Sequence, residues 1–264
     1  MLGKLTKYEI KATARIFLPL YAGLLLFALI NKVFIEINLL QTRMAFLPLI
    51  SGAIYFFIIV ATFIITLVVM IQRFYKNLLS DEGYLMFTLP VTPSKHIISK
   101  MIVSILWAVI SVIAAALSVL VLGYRKGLLG DIRTLIVDFF KLPLERNGPI
   151  LLTGGLFLLV ILAALVVFVL QIYASLALGH LAGKHRVLLS FVAYLVISMI
   201  WQTLMSVGMI ILASIHPLVT WVSGLQSIHQ VQLFMAGILV ISLVQSIVLY
   251  ITTNVILSKK LNLE

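Results

Sequence analysis

Long apolar runs separated by short charged segments organise this chain. A helix needs about 20 predominantly apolar residues to cross a bilayer. Six stretches meet that requirement: residues 16–37, 46–71, 101–124, 150–178, 187–215 and 233–257. The first is the least clean, because Asn31, Lys32 and Glu36 mark its far end. The longer runs must tilt or emerge from the membrane. The pattern therefore predicts an all-α membrane protein with six transmembrane helices, built as a single domain over 1–264.

Three segments between the spans carry helical or turn signals of their own. In "KLTKYEIKATARIF", Lys4, Lys7, Lys11 and Arg15 share one helical stripe, and Leu5, Tyr8, Ala12 and Ile16 share its neighbour. That pattern predicts an N-terminal interfacial elbow helix over 1–15, with a cytoplasmic extension of the first span as the alternative. Between the third and fourth spans, segment 125–149 places Leu128, Leu129, Ile132, Leu135, Ile136, Phe139 and Phe140 on one face. It is too short and too charged to span, so it caps the mouth of the bundle or lies on the headgroups. Between the fifth and sixth spans, "HPLVTWVSGLQSIHQ" is apolar but broken by Pro217 and Gly224. It reads as a re-entrant segment, or as an ordinary loop with Trp221 at the interface.

Composition sharpens the membrane reading. The 264 residues are 63% hydrophobic and 10% charged, against about 25% charged in a soluble domain. There is no cysteine, which excludes disulfides and thiolate metal sites. The net charge of +11 flanks the apolar runs and forms no separate basic domain, so no nucleic-acid partner is expected. With an even number of spans both termini share a face, which carries 12 of the 19 Lys and Arg residues. The positive-inside rule puts that face in the cytoplasm. No small-residue cleavage site precedes Asn31, so the first helix is expected to be retained.

The chemistry of a self-sufficient machine is missing from the pattern. Spans two to six hold no Asp, Glu, Lys or Arg in their interiors, whereas proton- or sodium-coupled carriers want such groups or broken helices at depth. The milder polar residues Ser111, Ser118, Gln171, Gln202, Thr203, Gln245 and Asn254 serve helix–helix hydrogen bonding or line a path. The five histidines are scattered, and there is no H-E-x-x-H. In "GHLAGKHR" only three residues separate Gly179 from Gly183, and His185 stands where a phosphate loop needs Ser or Thr.

The longest inner loop, 72–100, joins spans two and three. Thr92-Pro93 reads as an N-cap with proline at the first helical position. Before it, "DEGYLMFTLP" needs a turn at Gly83 and brings Tyr84, Leu85, Met86 and Phe87 near water. Apolar and aromatic residues flanked by charge have the makeup of a protein-binding hot spot. They would equally suit packing beneath the loop's own helices.

"RFYKNLLSDEGYLMFTLPVTPSKHIISK" resembles the inner loop of the ABC-2 type permeases, the membrane subunits of bacterial ATP-binding-cassette exporters. "LGKLTKYEIKATARIFLPLY" and "LALGHLAGKHRVLLSFVAYL" resemble the same family, so the likeness runs through most of the chain. It implies six spans, an interfacial elbow, a re-entrant segment before the last span, and a coupling helix in the inner loop. The contact with a separate ATP-binding subunit would then comprise Arg73, Asp81, Glu82, Gly83, Tyr84, Leu85 and Phe87. Asp81 and Glu82 would pair with the ATPase surface. ATP and magnesium would reside on that partner, leaving this chain without cofactor, metal or catalytic residues. A second permease copy or a homologue, together with membrane lipids, would complete the assembly in the cytoplasmic membrane. Rival readings are a non-transporting immunity or sensor subunit, a membrane-embedded enzyme, and a secondary carrier.

Overall fold

The computed structural model describes residues 2–38, 44, 46–80, 83, 86, 91–141, 143–182 and 185–260, without the side chains of 144–146, 218 and 260. Among the described residues every regular element is helical: α1 (Leu2–Glu36), α2 (Phe46–Leu78), α3 (Pro93–Gly123), α4 (Leu128–Lys141), α5 (Leu144–His180), α6 (Arg186–Ser214), α7 (His216–Ser223) and α8 (Ser227–Val255), closed by a π-helical turn, Ile256–Lys260. Six of them, α1, α2, α3, α5, α6 and α8, are long and apolar enough to cross a membrane. The protein is a multi-pass membrane protein, and the helices coincide with the six apolar runs.

The helices extend beyond those runs at one or both ends. The elbow expected over 1–15 is not set off as a separate helix, because α1 runs unbroken from Leu2 to Glu36. A single buried stripe, Thr13, Phe17, Tyr21, Leu24, Ala28 and Asn31, crosses the expected boundary without a change of face. Pro19 lies inside the helix and cannot donate to the Arg15 carbonyl. Packing along that stripe carries the helix through.

Contacts divide the chain into two compact units. The first holds 1–77 and 87–133, the second 78–86 and 134–264. In the first, α1 packs along α3. Phe17, Tyr21, Leu24, Val69, Val103, Trp107 and Ala114 form its core. Phe17 and Trp107 stack with ring centroids 4.5 Å apart. In the second, α5 packs on both α6 and α8, and α7 packs on α6. Gln171 Nε2 on α5 donates to Ser198 Oγ on α6 at 2.6 Å. Gln232 Nε2 on α8 donates to Thr153 Oγ1 on α5 at 3.0 Å. Gly179 lets α5 and α6 meet closely, since a Cβ there would sit 2.1 Å from Ser190 Oγ.

Candidate functional site

Of the loop residues singled out from the sequence, Arg73 and Gly83 are described, while Asp81, Glu82, Tyr84, Leu85 and Phe87 lie outside the described residues. The Gly83 N–H donates to the Ser80 carbonyl at 2.7 Å. A Cβ on Gly83 would lie 2.8 Å from the Leu78 carbonyl oxygen. Close backbone approach is therefore what requires glycine here.

Arg73 points into its own unit. Its Nε lies 3.9 Å from Glu9 Oε1. The same carboxylate oxygen accepts from Lys100 Nζ at 3.2 Å. Lys100 Nζ also donates to Asn77 Oδ1 at 3.2 Å. Arg73 and Asn77 stand one helical turn apart near the end of α2, and Lys100 stands in the opening turns of α3. These are the two stems of the inner loop. Glu9, on α1, joins them. Side chains of Lys100 and Glu9 are only 4% and 14% exposed, so the pair is largely withdrawn from water. Thr6 Oγ1 and Ser99 Oγ, 3.2 Å apart, add a second α1–α3 link.

The cavity beside this cluster is lined by Glu9, Thr13, Arg73, Lys100 and Trp107 among others. It has room for about one water molecule, too little for an organic substrate.

Above the cluster, polar contacts repeat through the interior of the first unit. Trp107 Nε1 donates to Thr13 Oγ1 at 2.7 Å. Ser111 Oγ lies 2.8 Å from Tyr21 Oη and 2.8 Å from Thr66 Oγ1, joining α1, α2 and α3 at one point. Tyr55 Oη and Ser118 Oγ are 2.9 Å apart. Asn31 Nδ2 donates to the Ser51 carbonyl at 3.2 Å. At the far end Lys32 Nζ donates to the Tyr124 carbonyl and lies 3.4 Å from Glu36 Oε1. A cation there also complements the C-terminal end of the α3 dipole.

Ser111, Ser118 and Gln171 are thus helix–helix bonding residues. Gln202 and Thr203 differ, standing exposed on α6. Glu9 and Lys100 were not singled out from sequence as a site. Comparison with protein-family models, with curated proteins and with solved structures returns no match.

Proposed function

We propose that this chain is the permease subunit of an ATP-binding-cassette exporter of the ABC-2 type, with both termini cytoplasmic and its motor on a separate ATP-binding subunit. The carrying observation is the tie at Glu9, which binds Arg73 on one stem of the inner loop and Lys100 on the other. A partner that displaces the 79–92 loop would act on α1, α2 and α3 together rather than on a slack connection. The resemblance of "RFYKNLLSDEGYLMFTLPVTPSKHIISK" to the family's coupling loop and the surplus of bases on the termini's face support the same reading.

In this mechanism ATP binding closes a dimer of ATPase subunits, and the inner loop contacts their open and closed states differently. That difference in contact free energy shifts the permease between its two access states. A second permease subunit completes the path. Exposure of Gln202 and Thr203 inside an apolar span supports such a partner, because polar side chains at membrane depth favour helix–helix contact over lipid.

The test is a charge reversal of Asp81 and Glu82 together, and separately Gly83→Val, in chain purified with its ATPase from native membranes. Expected is loss of transport with weakened ATPase association. Full transport with unchanged association would remove the loop from that role. Association without any substrate movement in the unmodified complex would favour the sensor or immunity reading instead.

A further inference from the structure

None of the residues of the amphipathic helix α4 is buried. Apart from Val137, its apolar residues fall within an arc of about 140° at 100° per residue. Leu135 is 72% exposed, Leu129 66% and Phe140 64%. Asp131, Thr134, Asp138 and Lys141 occupy the opposite arc, and Arg133 stands at its border. Such a face in a membrane protein is covered by protein or by lipid.

Both ends of the helix are held at the boundary of a span. At its N-terminal end the chain turns immediately after Tyr124, the C-cap of α3. Gly127 has φ +96, a left-handed conformation that glycine takes without strain. The Leu128 N–H closes this turn on the Arg125 carbonyl at 3.1 Å, and the Asp131 N–H bonds the Gly127 carbonyl at 2.9 Å. At the other end Asn147 Nδ2 donates to the Phe139 carbonyl at 3.3 Å, satisfying one of the acceptors a helix C-terminus leaves open. Asn147 is 5% exposed. It lies on α5, three residues before the apolar run that starts at Ile150, a rise of about 4.5 Å. The C-terminal turn of α4 is therefore fixed close to the depth where the α5 hydrocarbon stretch begins. A helix about 21 Å long, with each end held at the mouth of a span, cannot stand away from the bilayer.

We infer that α4 is an in-plane membrane anchor on the face opposite the termini, with Leu129, Leu135, Ile136 and Phe140 sunk in the boundary between headgroups and acyl chains. The occupant of its apolar face is the bilayer. Asp131 and Asp138 point to water. Arg133 reaches the phosphates from the edge, as long basic side chains do at interfaces, while Lys141 pairs with Asp138 at 3.3 Å on the water side. The inference rests on the six spans and does not depend on export.

The chain has no cysteine, so single reporters can be placed without removing any residue. Nitroxide labels at Leu129→Cys, Leu135→Cys and Phe140→Cys are compared with labels at Thr134→Cys and Asp138→Cys. The full chain is reconstituted in phosphatidylcholine–phosphatidylglycerol vesicles. Collision with dissolved oxygen should exceed collision with a water-soluble nickel chelate several-fold at the first three positions, at a depth of about 5–10 Å. The ratio should reverse at the other two. Equal nickel access at all five positions would overturn the inference, since α4 would then stand in water. Shielding of 129, 135 and 140 from both reagents would overturn it equally, because a second copy or another protein would then cover the face.

Discussion

Glu9 and Lys100 meet at 3.2 Å across 91 residues of sequence, inside the first unit and nearly out of contact with water. Truncating one member of a buried ion pair costs about 3–5 kcal/mol, because the remaining charge keeps its desolvation penalty. Lys100→Met leaves Glu9 with Arg73 at 3.9 Å, which places the expected loss toward the low end. Glu9→Gln with Lys100→Met should recover most of that loss, since neither charge then stays buried alone. Thermal unfolding of detergent-solubilised protein reads the difference. A double variant as unstable as Lys100→Met would show that the pair is not the unit that matters.

Trp107 gives a neighbouring test within the same unit. Its indole N–H donates to Thr13 at 2.7 Å, while its ring stacks on Phe17. Trp107→Phe keeps an aromatic ring for stacking and removes the donor. Thr13 still donates to the Glu9 carbonyl at 2.8 Å, so it is not stranded. The loss should be about 1 kcal/mol beyond the change in packing. A cycle with Thr13→Val should show coupling of similar size between the two positions. Coupling near zero would mean that the hydrogen bond contributes nothing net.

The spans were legible because each is a long apolar run and the bilayer fixes the required length. The α4 face was legible for the same reason that any strong helical periodicity is. Glu9 was not, because "KLTKYEIKATAR" is dominated by its basic stripe, and Lys100 counted as one more base at a helix end. A signal was present. The buried positions of α1 recede from Asn31 through Ala28, Leu24, Tyr21 and Phe17 to Thr13 in steps of three and four. Continued backward, that stripe meets Glu9 and Thr6. Lys100 likewise falls between buried Ile97 and Val103 on α3. Following the core stripe past the end of the apolar run would have turned both charges inward. The expectation of an interfacial elbow stopped at Arg15, where hydrophobicity changes but the packing face does not.

Gly179 should be intolerant of substitution. A Cβ there would lie 2.1 Å from Ser190 Oγ and 2.4 Å from the Ser190 backbone nitrogen. Gly179→Ala must therefore push α5 and α6 apart, at a cost of about 1–3 kcal/mol for overpacking. Ser190→Gly in the same chain removes the hydroxyl but not the backbone, so rescue should be partial. Full recovery of the unfolding midpoint in the double variant would place the crowding in the side chain alone.

Gln202→Cys tests the second permease subunit. The residue stands exposed within α6, and the chain contributes no competing thiol. Oxidation in native membranes should yield a disulfide-linked dimer if two copies meet along that face. The control Leu135→Cys on α4, which faces lipid in our inference, should yield none. A monomer at position 202 alongside normal transport would point to a homologous partner or another face.

The ties at the two ends of α1 should act independently. Glu9 holds Lys100 at one end, and Lys32 holds the Tyr124 carbonyl at the other. The two lie 23 residues apart on α1, about 35 Å along the helix. That exceeds the hydrocarbon thickness of about 30 Å, so each tie sits near a membrane boundary. Lys32→Met removes a cation from the α3 C-terminus, an effect of about 0.3–1 kcal/mol for a helix dipole. Its other partner, Glu36, is 63% exposed and adds little. At such a separation, losses from Lys32→Met and Lys100→Met should add within about 0.5 kcal/mol. A sum well short of additivity would mean that releasing one end already frees the other. Strict additivity would instead confine each tie to local stability, leaving transmission to the core contacts among Phe17, Tyr21, Val103 and Trp107.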